Sequence, residues 1–105
     1  MFQGGSLADG QVATSTGTIY TSSGTTILKS VTFFNTNATG QDINVFVTRN
    51  GGTRRQIARS TGLAQYATYY FLTDGEVLVL SDGDILEANT TTATAVDYLI
   101  TGASE

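Results

Sequence analysis

The sequence contains no cysteine, no histidine, no proline and no tryptophan. Without thiols or imidazoles there is no disulfide and no thiolate or imidazole metal centre. Ser-His-Asp and Cys-His catalysis and haem ligation through His or Cys are excluded with them. An average chain of 105 residues would carry about five prolines. Their absence removes one of the usual guards of exposed sheet edges. Charge is scarce as well: 13% of residues are charged, with nine acids against five bases for a net charge of −4. That balance lacks the basic footprint of a nucleic-acid binder. The longest wholly aliphatic run spans residues 77–80, far short of the ~20 residues of a membrane helix. The N-terminus has neither the basic nor the apolar region of a secretory signal, so the expectation is a soluble chain made in a cytosol. Two Asn-x-Thr triplets, at Asn37 and Asn89, read as chance matches in a Thr-rich chain.

What is present points to strands. Hydrophobic residues make up 40% of the chain, too many for disorder at so low a net charge. Thr and Ser supply 27 residues, and β-branched Thr suits a half-buried pleated surface. No segment keeps an apolar stripe at helical spacing. Candidate strands fall at residues 18–20, 26–35, 42–49, 53–59, 66–72, 76–80, 84–88 and 93–101. Turn signals separate them at Ser23-Gly24, Asn50-Gly51-Gly52, Asp74-Gly75 and Asp82-Gly83. This predicts one all-β domain, an antiparallel β-sandwich of about eight strands with jelly-roll character, over residues 18–102. Residues 1–17, rich in Gly, Ser and Thr, read as an extended N-terminal arm, and residues 103–105 as a tail.

Two features point to assembly. The first is apolarity on both sides of a strand, where one wet face should give alternation. Tyr66, Tyr70 and Leu72 alternate with Ala67, Tyr69 and Phe71, and Phe33 and Phe34 are adjacent. One set meets the core, and the other is covered within the chain by the arm or by strand curvature, or by another subunit. The second is charge segregation. Arg49, Arg54, Arg55 and Arg59 surround the Asn50-Gly51-Gly52 turn, while Asp74, Glu76, Asp82, Asp84 and Glu87 cluster downstream. With Gly51-Gly52 as the turn, Arg49 and Arg54 would face each other, a like-charge pair needing a carboxylate from the same chain or a neighbour. The candidate interface residues are therefore Phe2, Arg49, Arg54, Arg55, Arg59, Tyr66, Tyr69, Tyr70, Asp82 and Asp84.

Chemistry finds little support. The acids at 74–84 offer oxygens for calcium but lack the EF-hand spacing. Paired carboxylates in tight turns imply no cleft for glycoside hydrolysis, and neither Gly-Gly pair sits between a strand and a helix as a phosphate loop does. The reading is no enzyme, no cofactor and no metal. Exposed tyrosines keep carbohydrate binding open as an alternative.

Three stretches carry a resemblance. They are Thr25 through Thr36 with its Phe33-Phe34-Asn35-Thr36 end, Gly83-Asp84-Ile85-Leu86-Glu87-Ala88, and Tyr98-Leu99-Ile100-Thr101-Gly102. Together, over residues 18–102, they resemble a family of small β-sandwich phage virion proteins found as capsid decoration (cement) proteins and as tail components. The resemblance implies a location in the virion and two partners: the major capsid (coat) protein and further copies of the chain as a homo-oligomer, with a trimer expected. Neither nucleic acid nor a membrane is implied. A tail-associated receptor- or carbohydrate-binding module is the alternative. The family defines no catalytic residues.

Overall fold

The computed structural model describes residues 3–72 and 75–104, so Phe2 and Asp74 lie outside the described residues. The described residues form nine strands and no helix. They are β1 (Gln3–Gln11), β2 (Gly17–Thr21), β3 (Thr26–Asn35), β4 (Gln41–Thr48), β5 (Arg55–Leu63), β6 (Thr68–Tyr70), β7 (Leu78–Leu80), β8 (Ile85–Thr90) and β9 (Val96–Ser104). Sheet A runs β1-β9-β3-β6, with β7 also on β3, and sheet B runs β2-β8-β4-β5. The pairs are nested: β1 with β9, β2 with β8, β3 with β6 and β7, and β4 with β5, all antiparallel. One long hairpin has rolled over itself. With β6 and β7 sharing one strand position, this is the eight-strand order of a jelly roll.

Alternation sets which face of each strand is buried. In β4, Gln41, Ile43, Val45 and Val47 are buried, and the residues between them are half-buried. In β3 the phase changes midway. Thr26 and Leu28 point inward, Lys29 and Ser30 both face out, and Val31, Phe33 and Asn35 point inward again. The cause is a β-bulge, because the register with β9 shifts between Leu28 and Ser30. Leu28, Val31 and Phe33 are fully buried and meet Ile43, Val45, Leu86 and Ile100 from the other strands. The total accessible surface is 5473 Å², close to the ~5,600 Å² expected of a folded chain of this mass.

The expected arm is part of the sandwich. Gln3–Gln11 form an edge strand on β9. Beyond it Val12, only 1% exposed, donates its N–H to the Val96 carbonyl at 2.9 Å. Leu7, the extra residue at a register shift between Ser6 and Ala8, packs against the core. Composition hid the strand because three glycines lower its intrinsic preference, while β9 supplies the ladder that orders it. The expected boundary at 17/18 is therefore not a domain boundary, and Ala103 and Ser104 of the expected tail belong to β9. The segment 66–72 is shorter as a strand than expected. Tyr66 has a positive φ of 62° and its N–H bonds the Asn35 carbonyl, so β6 begins only at Thr68.

A chain starting at residue 13 loses the β1–β9 ladder and the Val12 side chain, whose burial alone is worth about 2 kcal/mol. Its thermal midpoint is expected to fall by more than about 10 °C or its melt to lose cooperativity, read by circular dichroism. An unchanged melt would return residues 1–12 to the status of an arm.

Candidate functional site

Sheet B closes its own outer face. Asn44 Nδ2 donates to Asn89 Oδ1 at 2.9 Å, Gln56 Nε2 to Asn44 Oδ1 at 2.9 Å, and Asn89 Nδ2 to Thr16 Oγ1 at 2.7 Å. Beside this ladder Glu87, only 3% exposed, accepts from Arg54 Nε at 3.1 Å, Arg54 Nη2 at 2.7 Å and Thr48 Oγ1 at 2.7 Å. The Arg54 guanidinium also lies 5.9 Å from the centroid of the Phe46 ring, within cation–π range.

Sheet A is different. The register sorts its outward side chains into four rows. Phe34 and Asp97 share the first, and Tyr70, Thr32 and Leu99 the second. Ser30 and Thr101 make the third, and Val79, Ile27 and Ala103 the fourth. Phe34, Tyr66, Tyr70, Val77, Val79 and Leu99 are all exposed, from 37% to 68%. The Phe34 and Tyr66 rings stack at 6.2 Å between centroids. Between the end of β6 and the start of β7 lies a groove of about 610 Å³ lined by Lys29, Ser30, Tyr70, Glu76 and Val77, among others. Lys29 and Asp97 are exposed on this face and make no ion pair among the described residues.

The predicted tyrosines therefore divide. Tyr66 and Tyr70 stand on the exposed face. Tyr69 points the other way and stacks on Phe33 at 6.0 Å; burial pushes its hydroxyl pKa up. Leu72, expected beside Tyr66 and Tyr70, packs against the core. Sequence reasoning missed Leu99 and Lys29. Leu99 alternates cleanly with Ile100, so only the register reveals its exposure, and Lys29, which follows inward-facing Leu28, is the extra residue of the bulge.

The arginine cluster finds its carboxylates within the chain. Arg49 Nη1 lies 2.9 Å from Asp84 Oδ2, Arg54 Nη2 2.7 Å from Glu87 Oε2, and Arg59 Nη2 3.7 Å from Asp42 Oδ2. Arg55 is exposed and makes no ion pair among the described residues. The expected Arg49–Arg54 opposition does not occur. Asn50-Gly51 is the turn, closed by Gly52 N–H to the Arg49 carbonyl at 2.7 Å, and Arg55 rather than Arg54 opposes a β4 residue, Val47.

The acidic turn is a latch between loops. Asp84, 3% exposed, accepts from the Asn50 N–H at 2.8 Å, Arg49 Nη1 at 2.9 Å and the Ser81 N–H at 2.9 Å. Asp82 Oδ1 accepts the Gly24 N–H at 2.8 Å. Gly83, at φ 84°, donates to the Ser22 carbonyl at 2.9 Å and lies under Asn50, whose Cγ would sit 2.7 Å from any Cβ there. Three turns are thereby pinned at one end of the sandwich. Of the carboxylates considered for calcium, Asp82 and Asp84 are committed to N–H donors and, for Asp84, Arg49, and no group of three or more potential ligands occurs among the described residues.

No protein-family model, curated protein or solved structure matches the chain.

The Asn50 N–H above all, then Arg49 and the Ser81 N–H, hold the Asp84 carboxyl below its ordinary value of 3.8 against the opposing effect of burial. Arg54 first, then Thr48, lower that of Glu87 from 4.5. Both groups titrate lower folded than unfolded. Their stabilisation is complete above the unfolded values and is lost as pH falls through the folded ones. The melting temperature is expected to be flat from about pH 7 to pH 5 and to fall below about pH 4. Asp84→Asn should cost about 2 kcal/mol at pH 7 and make the acid limb shallower. A variant with the wild-type acid limb would remove Asp84 from this account.

Proposed function

We propose that this chain is a structural protein of a phage virion, a capsid decoration or cement protein that acts by non-covalent contact. The observation that carries this reading is the outer face of sheet A, where six large apolar or aromatic side chains stand exposed. Contiguous exposed apolar surface marks an interaction site. Aromatic residues with few charges among them are the composition of an interface core. The resemblance in the sequence supplies the setting, a virion with coat protein as neighbour. Its motifs also fit the fold: Phe33, Leu86, Ala88 and Ile100 are core residues, Asp84 is the latch, and a Cβ on Gly102 would run into the Ile27 carbonyl.

Under this reading each oligomer bridges neighbouring coat subunits. Binding the assembled shell and not its separated subunits stabilises the shell by mass action. A surface of Thr, Ser and Asn with few charges makes contacts that salt screens little. The tail-associated or carbohydrate-binding alternative draws on the exposed Tyr66 and Tyr70, since tyrosine rings serve as apolar platforms with a polar tip.

Quantitative mass spectrometry of purified virions carrying this chain tests the reading. Copy numbers comparable to the coat protein are expected, and stripping the protein should lower the temperature at which particles release their genome. A few to tens of copies per particle would move the protein to the tail. Absence from virions, with glycan-array binding that Tyr66→Ala or Tyr70→Ala abolishes, would replace the proposal with a carbohydrate-binding module.

A further inference from the structure

We infer that the outer face of sheet A packs against the same face of a second copy of this chain. The two copies lie back to back across a two-fold axis that crosses the strands between the Thr32 and Ser30 rows. The inference deepens the contact reading above by naming the occupant of the face.

The first argument is charge. Lys29 is an exposed base on this face and Asp97 and Asp9 are exposed acids, none with an ion pair among the described residues. Asp9 stands on the edge strand β1 opposite Leu99, two strands from β3, so Asp97 is the nearer acid to the Lys29 strand. Within one copy Lys29 and Asp97 cannot meet. Lys29 lies between the third and fourth rows, and Asp97 sits in the first, beside Phe34. At about 6.6 Å per row they are some 15 Å apart along the sheet. The two-fold reverses the order of rows and keeps each strand over its own copy. Lys29 of one molecule then lies over the first and second rows of its mate, with Asp97 one strand away, about 4.8 Å to the side. The lysine side chain spans that offset. Symmetry makes the contact twice, once at each end of an isologous interface.

The second argument is shape. The same operation carries the second row onto the third. Tyr70, 58% exposed, then falls over the groove of the mate, at the level where Lys29 and Ser30 line it. Phe34 falls over Ile27 in the fourth row, next to Val79. An exposed aromatic filling an open, apolar-lined recess is the anchor arrangement that dominates interface energetics. Twisted sheets pack in this aligned way about 10 Å apart.

The third argument is size. Four strands at ~4.8 Å spacing and about 33 Å of length give a face of roughly 600 Å² in projection. Its accessible area is comparable to the ~800 Å² per partner of a standard interface. Such a pair exposes two sheet B faces and two latched loop ends in opposite directions, a geometry suited to bridging. The trimer implied by the resemblance needs heterologous contacts instead.

Light scattering coupled to size exclusion, from micromolar to about millimolar protein, tests this with Lys29→Glu, Asp97→Lys and the double variant. Both changes are at exposed positions, and circular dichroism melts check that the fold is retained in all three variants. The wild-type mass should approach twice 11.0 kDa. Each single reversal should weaken association by about tenfold or more, and the double variant should recover it. A monomer throughout, a trimer, single variants that associate as wild type, or a double variant without recovery would each overturn the inference. These outcomes are separate from virion copy number. A charge-dependent dimer absent from virions would leave the interface standing and remove the virion role, and an abundant virion protein that stays monomeric would do the reverse.

Discussion

The bulge at Lys29 is the constraint on which sheet A depends. β3 is hydrogen-bonded to β9 along its length and to β6 and β7 at its two ends. A ten-residue strand with strict alternation would turn one half of its apolar residues out of the core. The extra residue resets the phase, so that Leu28 and Val31, three apart, both reach full burial. It places two consecutive side chains, Lys29 and Ser30, on the outer face. It also sits where the sheet edge is open, between the end of β6 and the start of β7. The burial of both halves of β3 and the two adjacent outward side chains follow from one inserted residue.

The sandwich was legible because its inner strands obey simple periodicity. β3 has the bounds that its composition predicts, and β4 and β8 differ from expectation by a residue or two. β1 was not legible. Its sequence, Gln-Gly-Gly-Ser-Leu-Ala-Asp-Gly-Gln, has no alternation to read, since an edge strand needs only one partner ladder and one or two anchors into the core. The nested pairing β1–β9 spans nearly the whole chain, and no local signal encodes it. The candidate site was legible in part. Adjacent apolar residues correctly signalled a second apolar face at Phe34, Tyr66 and Tyr70. They set Tyr69 on the opposite side from Tyr70, where it stacks on Phe33, but they misplaced Leu72, which lies beyond the end of β6 and packs against the core. The charge clustering was real, but its resolution inside the chain depended on how β4, β5 and β8 meet, which strand spacing alone does not give.

The two carboxylate latches explain why Arg49 and Arg54 are poor candidates for outside contacts. Glu87 and Asp84 are almost fully buried beneath guanidinium groups whose own side chains remain half exposed. Removing either arginine would leave a buried carboxylate short of donors, which is costly. A partner that recruited Arg49 or Arg54 would have to offset that loss with contacts of its own. The stretch Gly83-Asp84 in the resemblance motif is structural for the same reason: it ties the 81–84 turn to the turns at 22–24 and 49–50. Strong selection for a sandwich of this kind would retain it whatever the surface is used for.

The molecule is consequently two-sided. Sheet B presents a surface that is polar apart from the exposed Ile57 on its edge strand, with amides, hydroxyls and acids already bonded to one another, so water or a partner gains little by competing for them. Sheet A presents exposed aromatic and aliphatic side chains, two of them stacked on each other, plus a base, Lys29, that cannot reach Asp97 in one copy. Burying apolar surface stabilises any complex that forms there, and by itself it does not choose the partner. The choice comes from the separated charges and from the recess at the bulge, which a second copy satisfies by symmetry. Association through sheet A then leaves the rigid, latched end and the polar sheet of each copy facing outward, where a larger assembly would meet them.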